Sequence, residues 1–285
     1  MGELIAILSG KGGTGKTSVC AGLAEALALQ GEKVLCIDCD VGLRNLDIAL
    51  GMEDSGALSF LEVCRGDYPL TSAAIHPEFP NLFFLTAPVH CQAHMIDGDA
   101  FEAMLQKART MFDYVLMDAP AGIEAGFSLV ARYADRILLV TGSDPASIRD
   151  ARCAADTLEL LGKHNIRLII NRVQKRMFSA MGLTVDDIMD KTGLPLLGIV
   201  PEDGAVVLSA ACATALLRYT GLEIDTLSDF IGNFLFTGTC NNGSRNFSAY
   251  FFRPAYYAYY LLQDFQGVPL FLSFQAQPLM FLYQH

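Results

Sequence analysis

Residues 10–17 read Gly10-Lys11-Gly12-Gly13-Thr14-Gly15-Lys16-Thr17, which fits the G-x-x-x-x-G-K-[ST] spacing of a phosphate-binding P-loop. The spelling has a physical basis. Glycines let the backbone curl until successive N–H groups point inward at phosphate oxygens, and the positive end of the helix that follows adds to the attraction. Lys16 is expected to reach the β- and γ-phosphates of a nucleotide, and the Thr17 hydroxyl to ligate Mg²⁺. The flanks agree with this reading. Leu4–Leu8 is a short apolar run suited to a buried strand, and Ser18–Gln30 reads as a helix.

Working outward, strand and helix signals alternate from residue 1 to about 220, the mark of a mostly parallel sheet with helices on both faces. Strands are expected at 33–38, 81–86, 114–118, 137–141, 167–171 and 196–200. Helices are expected around 43–50, 58–64, 99–111, 145–162, 185–192 and 205–218. Near Gly221 the character changes. No lysine follows Lys191, only Arg245 and Arg253 remain beyond Arg218, and the sequence fills with Phe and Tyr, as in Tyr256-Tyr257-Ala258-Tyr259-Tyr260. The expected organisation is therefore a P-loop domain over 1–220 and an aromatic-rich tail over 221–285.

Composition narrows the classes. With 285 residues, 52% of them apolar, the chain is long enough to bury a large core. A formal net charge of -11 argues against a protein that coats DNA, so nucleic acid is not an expected partner. No run approaches the roughly 18 apolar residues of a spanning helix. The apolar N-terminus lacks a basic leader and is expected to be the first strand rather than a signal peptide. The eight cysteines are scattered, and Cys36-x-x-Cys39 lies on a strand with no second such pair, so reduced structural cysteines are expected.

A P-loop needs acids to hold Mg²⁺ and direct water. Asp118 ends the hydrophobic strand Tyr114-Val115-Leu116-Met117-Asp118, and Asp38 and Asp40 end the strand at 33–38. Ligands of open α/β sheets gather beyond the carboxyl ends of strands, which brings all three acids toward the phosphates.

Lys11, directly after Gly10, gives K-G-G-x-G-K-T and resembles the deviant Walker A motif of the MinD/ParA family of ATPases. Asp38-Cys39-Asp40-Val41-Gly42-Leu43-Arg44-Asn45-Leu46-Asp47 is similar to the first switch region of its MinD branch, and Asp118-Ala119-Pro120-Ala121-Gly122-Ile123-Glu124 to the second. The resemblance spans nearly all of 1–220 and implies a role for each matching residue. Gly10, Lys11, Gly12, Gly13, Thr14, Gly15, Lys16, Thr17 and Ser18 cradle ATP. Lys11 crosses a dimer interface to the partner's nucleotide, and Lys16 and Asp40 act with it in hydrolysis, Asp40 activating the water. Thr17, Asp38 and Asp118 serve Mg²⁺. Asn171 and Arg172 read adenine, and Pro201, Glu202 and Asp203 border the base and ribose.

The resemblance further implies an ATP-dependent homodimer that cycles between the cytoplasm and the inner face of the cell membrane to position bacterial division. Its partners would be a MinE-like activator, a MinC-like inhibitor and an anionic membrane surface. That pattern closes with a basic amphipathic helix, and this tail has aromatics without the cations. An altered or non-native end, a divergent terminus or a different anchoring mode each accounts for the break. A flagellar-number regulator, a ParA-type partitioning ATPase, an iron–sulfur carrier and a nucleotide-binding scaffold without turnover stand as alternatives.

Overall fold

The computed structural model describes residues 1–41, 43–89, 95–212 and 250–251. Strand β1 (Glu3–Leu8) leads through the Gly-rich loop into α1 (Lys16–Leu29), then β2 (Val34–Asp38), α2 (Leu46–Leu50) and α3 (Phe60–Cys64). A short antiparallel strand β3 (Ala74–Ile75) precedes β4 (Leu82–Leu85), α4 (Gly98–Met111), β5 (Tyr114–Asp118) and α5 (Ala125–Tyr133). Then follow β6 (Arg136–Thr141), α6 (Pro145–Leu160), β7 (Ile166–Val173), α7 (Lys175–Ala180), α8 (Val185–Thr192), β8 (Leu196–Pro201), α9 (Gly204–Ala211) and β9 (Tyr250–Phe251).

The strands form one sheet in the order β3-β4-β2-β5-β1-β6-β7-β8-β9, parallel throughout except at the β3–β4 edge. Parallel pairing requires a crossover between neighbours, and helices supply it on both faces. The alternation of β1 shows how the core divides. Leu4, Ala6 and Leu8 face a layer with Phe60, Phe101, Leu105 and Phe127, whereas Ile5 and Ile7 face Leu23 and Leu27 of α1. Residues 4–8 are all 1% exposed or less. A smaller third cluster of Ile148, Leu168, Ile170, Phe178 and Ile188 joins α6, α7 and α8 to the β7 side of the sheet.

Register carries the functional consequence. Ile7 of β1 and Asp38 of β2 both pair with Asp118 of β5, and Leu8 pairs with Leu139 of β6. Four carboxyl ends therefore finish at one level. Asp118 O accepts from Cys39 N (2.8 Å) and Ile7 O accepts from Ala119 N (3.2 Å), which binds these ends to one another.

Boundaries differ from the sequence expectations for identifiable reasons. α1 begins at Lys16 rather than Ser18, because Gly15 takes the left-handed conformation (φ 84°) and turns the chain directly into the helix. β7 runs on to Val173 rather than ending at Asn171, because a bulge between Ile170 and Val173 lets Val173 resume pairing with Pro201. The sequence reading did not anticipate α5, β3 or α7. The expected helix over 205–218 is described from Gly204 to Ala211 with a turn at Cys212, and residues 213–218 lie outside the described residues. So does the expected tail domain over 221–285, apart from Tyr250–Phe251, which pairs in parallel with Gly198 and Ile199. Cys36 packs in one core layer and Cys39 in the other, so the two thiols do not converge on a shared ligand.

Phe101 is fully buried and stacks edge-on with both Phe60 and Tyr133, at centroid distances of 5.5 and 5.8 Å. Truncating it opens a cavity that its rigid neighbours cannot fill. Phe101→Ala is expected to lower stability by about 3–5 kcal/mol, read as a shifted urea midpoint with unchanged slope.

Candidate functional site

The Gly-rich loop closes over the aligned strand ends. It turns twice in the left-handed region, at Gly13 (φ 79°) and Gly15 (φ 84°). α1 starts with no side-chain cap and no acid in its first turn, so the N–H groups that every helix leaves open there have no side-chain partner. Thr14 Oγ1 is buried beside them with no hydrogen-bond partner. A buried hydroxyl and several amides without acceptors are costly unless a ligand meets them. The cradle therefore fits an anion such as a phosphate.

Two side chains from the first turn of α1 close on one carboxylate. Lys16 Nζ donates to Asp118 Oδ1 at 2.6 Å, and Thr17 Oγ1 donates to Asp118 Oδ2 at 2.7 Å. Lys16 is 6% exposed and Asp118 1%. Burial alone would push the Lys16 ammonium down, but Asp118 and Asp40 more than offset it and its pKa is raised.

Asp38 lies opposite Asp118 across the β2–β5 pair and is fully buried. Its carboxyl is pushed up to about 7, first by burial and then by the charge of Asp118. Its two oxygens accept from Asp40 N (2.9 Å) and Leu46 N (3.2 Å), so Asp38 also shapes the loop that carries Asp40. Asp40 is half-buried, and its carboxyl is raised by burial, with Lys16 opposing and Asp118 adding to the shift. Three acids thus face a mouth whose buried cation is Lys16 alone among the described residues. Among the described residues no three carboxylates, histidines or cysteines converge as metal ligands, so a divalent ion such as Mg²⁺ would be held here by Thr17 and one or two carboxylates together with water and phosphate oxygens.

Lys11 stands on the rim, where Nζ meets Asp144 Oδ1 at 3.2 Å. Asp144 caps α6. Burial raises its carboxyl, but the Ser147 hydroxyl and N–H, together with Lys11, hold it at about 2. Gly12 and Gly13 are exposed at the loop tip, and Ser18 is half-buried on α1. Gly10 lies against α6 so tightly that a Cβ there would sit 2.3 Å from the Asp150 carbonyl oxygen.

The far end of the cradle comes from β7 and β8. Asn171 Nδ2 donates to Thr14 O at 2.7 Å, and a Cβ on Gly15 would come within 2.2 Å of that nitrogen. Arg172, at φ 57°, sends Nη1 to Gly13 O (3.1 Å) and Nη2 to Glu202 Oε1 (3.1 Å). Gln174 and Arg172 hold the Glu202 carboxyl below its usual range. Pro201 ends β8, and the Asp203 carbonyl accepts from Val206 N as α9 begins.

Of the residues singled out from sequence, these contacts join Lys11, Gly13, Thr14, Lys16, Thr17, Asp38, Asp40, Asp118, Asn171, Arg172 and Glu202. Sequence reasoning counted Asp144 only within the Ser143–Asp150 stretch that fits the family pattern, and gave no role to it, to Thr14 Oγ1 as an open hydroxyl, or to Gln174. Asp144 did carry a signal, since an aspartate directly before Pro145 is a helix-start pattern. Gln174 carried none.

A family model described as "CobQ/CobB/MinD/ParA nucleotide binding domain" matches residues 5–213. A septum site-determining protein MinD from Synechocystis is 34% identical over 230 residues, covering 80% of this chain and 86% of that protein. Among solved structures, one of the MinC:MinD cell division complex of Aquifex aeolicus superposes with a TM-score of 0.74 at 32% identity, covering 87% of this chain and 99% of that one. A Pyrococcus horikoshii MinD complexed with Mg-ADP gives a TM-score of 0.68 at 28% identity, over 82% and 94% of the two chains.

The raised Asp38 carboxyl has a thermodynamic signature. The native state keeps this proton where the unfolded chain, titrating near 3.8, has lost it. The stability it contributes is complete below about pH 3.8 and is lost as pH rises through about 7. In Mg²⁺-free denaturant titrations between pH 5 and 8, the wild type should therefore lose stability more steeply than Asp38→Asn. Parallel curves would refute the assignment.

Proposed function

Because this chain belongs to the CobQ/CobB/MinD/ParA nucleotide-binding family, we propose that it is a Mg²⁺-dependent ATPase switch of the MinD type, acting in division-site placement. The observation that carries the reading is the closure of Lys16 and Thr17 on the buried Asp118, beneath a loop of open N–H donors.

In this reading the first-turn amides of α1 and the Thr14 hydroxyl bind phosphate oxygens, and Lys16 turns from Asp118 to the β- and γ-phosphates. Thr17 and Asp118 hold Mg²⁺, with Asp38 supporting its shell. Mg²⁺ held there would supply positive charge against that developing on the phosphates. Asp40 orients the attacking water and accepts its proton on a carboxylate whose raised pKa suits a base. Asn171 and Arg172 brace the loop and, with Pro201, Glu202 and Asp203, border the base and ribose.

Lys11 gives the switch its second subunit. Within one chain it rests on Asp144, and in the ATP dimer it reaches the partner's nucleotide. Exposed Leu43 and Ile123, one on the loop after each acidic strand end, offer apolar contact on the same rim. Dimerisation doubles any weak anchor, so nucleotide state sets membrane residence through avidity. A MinC-like inhibitor and a MinE-like activator would read the dimer. Among the described residues no helix is long and apolar enough to cross a membrane.

Lys16→Ala should abolish ATP-dependent dimerisation in sedimentation velocity, while Lys11→Ala retains more nucleotide binding than dimer. Asp40→Ala should dimerise with ATP yet release little phosphate. Wild-type protein that binds ATP without releasing phosphate would instead make it a scaffold. Sedimentation onto anionic liposomes with ATP, for the full chain and for a chain ending at Arg218, tests the membrane step. Without ATP-dependent sedimentation of the full chain, that step fails.

A further inference from the structure

His76 directly follows β3 and is 3% exposed. Its backbone N–H donates to Leu82 O of β4 at 2.9 Å, so the turn it stands in is tied to the sheet. The ring faces two ways. Nδ1 accepts from Glu78 N (3.1 Å) and Phe79 N (3.2 Å), and these two amides fix the tautomer with the proton on Nε2. Nε2 in turn donates to Leu50 O, 2.8 Å away on α2. Burial holds the ring's pKa below its usual value, against the pull of the Leu50 carbonyl and the Glu78 charge, so the donating ring is neutral near neutral pH.

Leu50 is the last residue of α2, where a helix leaves carbonyls without an intrahelical donor. The N–H groups of Gly51 and Met52 turn back to Ile48 O and Asp47 O, at 3.1 and 2.8 Å. Leu50 O is met from outside the helix, by His76. The opposite end of α2 is held from outside as well, since Leu46 N donates to Asp38 Oδ2 at 3.2 Å. Between these ends Leu46 and Leu50 pack, fully buried, in the layer shared with α1. Apolar burial is non-directional, so it sets the depth of a five-residue helix while the two end bonds set its orientation.

Asp40 stands in the chain between β2 and α2. Its carbonyl accepts from Leu43 N (3.3 Å) and Arg44 N (3.4 Å), just before the first turn of α2. A shift of α2 is therefore passed to the Asp40 backbone over a few bonds. We propose that His76 is a positioning residue for ATP hydrolysis: its bond to Leu50 O pins α2 to the sheet and so holds Asp40 where it directs the attacking water. His76 acts through α2, away from the reacting atoms. The proposal rests on the reading of this chain as an ATPase with Asp40 as its base.

Two substitutions divide the ring's work. His76→Asn places Oδ1 about where Nδ1 stood, so it accepts from Glu78 N and Phe79 N as an Asx turn but falls short of Leu50. His76→Gln carries an amide N–H out to the position of Nε2 and keeps the link to Leu50. With the full chain, ATP and Mg²⁺, His76→Asn should lower kcat for phosphate release about tenfold and leave the KM for ATP within about twofold, and His76→Gln should recover most of that loss. Amide hydrogen exchange over residues 43–50, followed by mass spectrometry without nucleotide, should be about tenfold faster in His76→Asn and close to wild type in His76→Gln. A role confined to the turn predicts the reverse order, with His76→Asn near wild type and His76→Gln impaired. That order, equal loss of kcat in both variants, or a raised KM with kcat intact overturns the proposal. If the wild type releases no phosphate, the ATPase reading fails, and exchange over 43–50 alone decides whether His76 holds α2.

Discussion

Asp118 ends β5 with 1% of its surface exposed, and the two polar side chains of the first turn of α1 close on its two oxygens. Removing two opposite charges from water is expensive, and such a pair persists only where hydrogen bonds satisfy both groups. Here the carboxylate is satisfied twice, while its own backbone carbonyl holds Cys39 N. One residue therefore ties the central strand to the P-loop helix and to the loop that carries Asp40. Deleting either charge would strand the other in the core, a change that costs about 3–5 kcal/mol.

The same pair sets the electrostatics of the mouth. Asp38 and Asp40 both feel Asp118, and both are raised, because its charge adds to the cost of their own burial. Lys16 offsets part of this field, and no second buried cation is present among the described residues. A site arranged in this way gains when positive charge enters. Fold and chemistry are thus linked through a single surplus of carboxylates, placed by strand register rather than by any local motif.

What was legible in the sequence followed from strong local signals. Gly10–Thr17 fixed the first crossover, and apolar runs ending in Asp38 and Asp118 placed acids at strand ends, because both obey spacing rules that hold without tertiary context. α5 escaped because Ala125–Tyr133 follows a switch segment and is short, with its N-cap, Glu124, making no side-chain cap. β3 escaped because two residues hold no period. The bulge that extends β7 was invisible because it depends on pairing with β8. The Lys11–Asp144 contact joins residues 133 positions apart, and no one-dimensional pattern encodes it.

Gly10 opens the fingerprint by which any reader of the sequence assigns phosphate binding. Yet its missing side chain serves the fit of α6 against the loop, where the Asp150 carbonyl occupies the space a methyl group would need. Gly15 makes room in the same way for Asn171, and in addition its left-handed turn aims the amides of α1. A descendant of this fold that had lost its nucleotide would still be held to glycine at position 10 by steric exclusion alone. The two glycines of one motif therefore report different things: Gly10 testifies to architecture alone, and Gly15 to architecture and chemistry together.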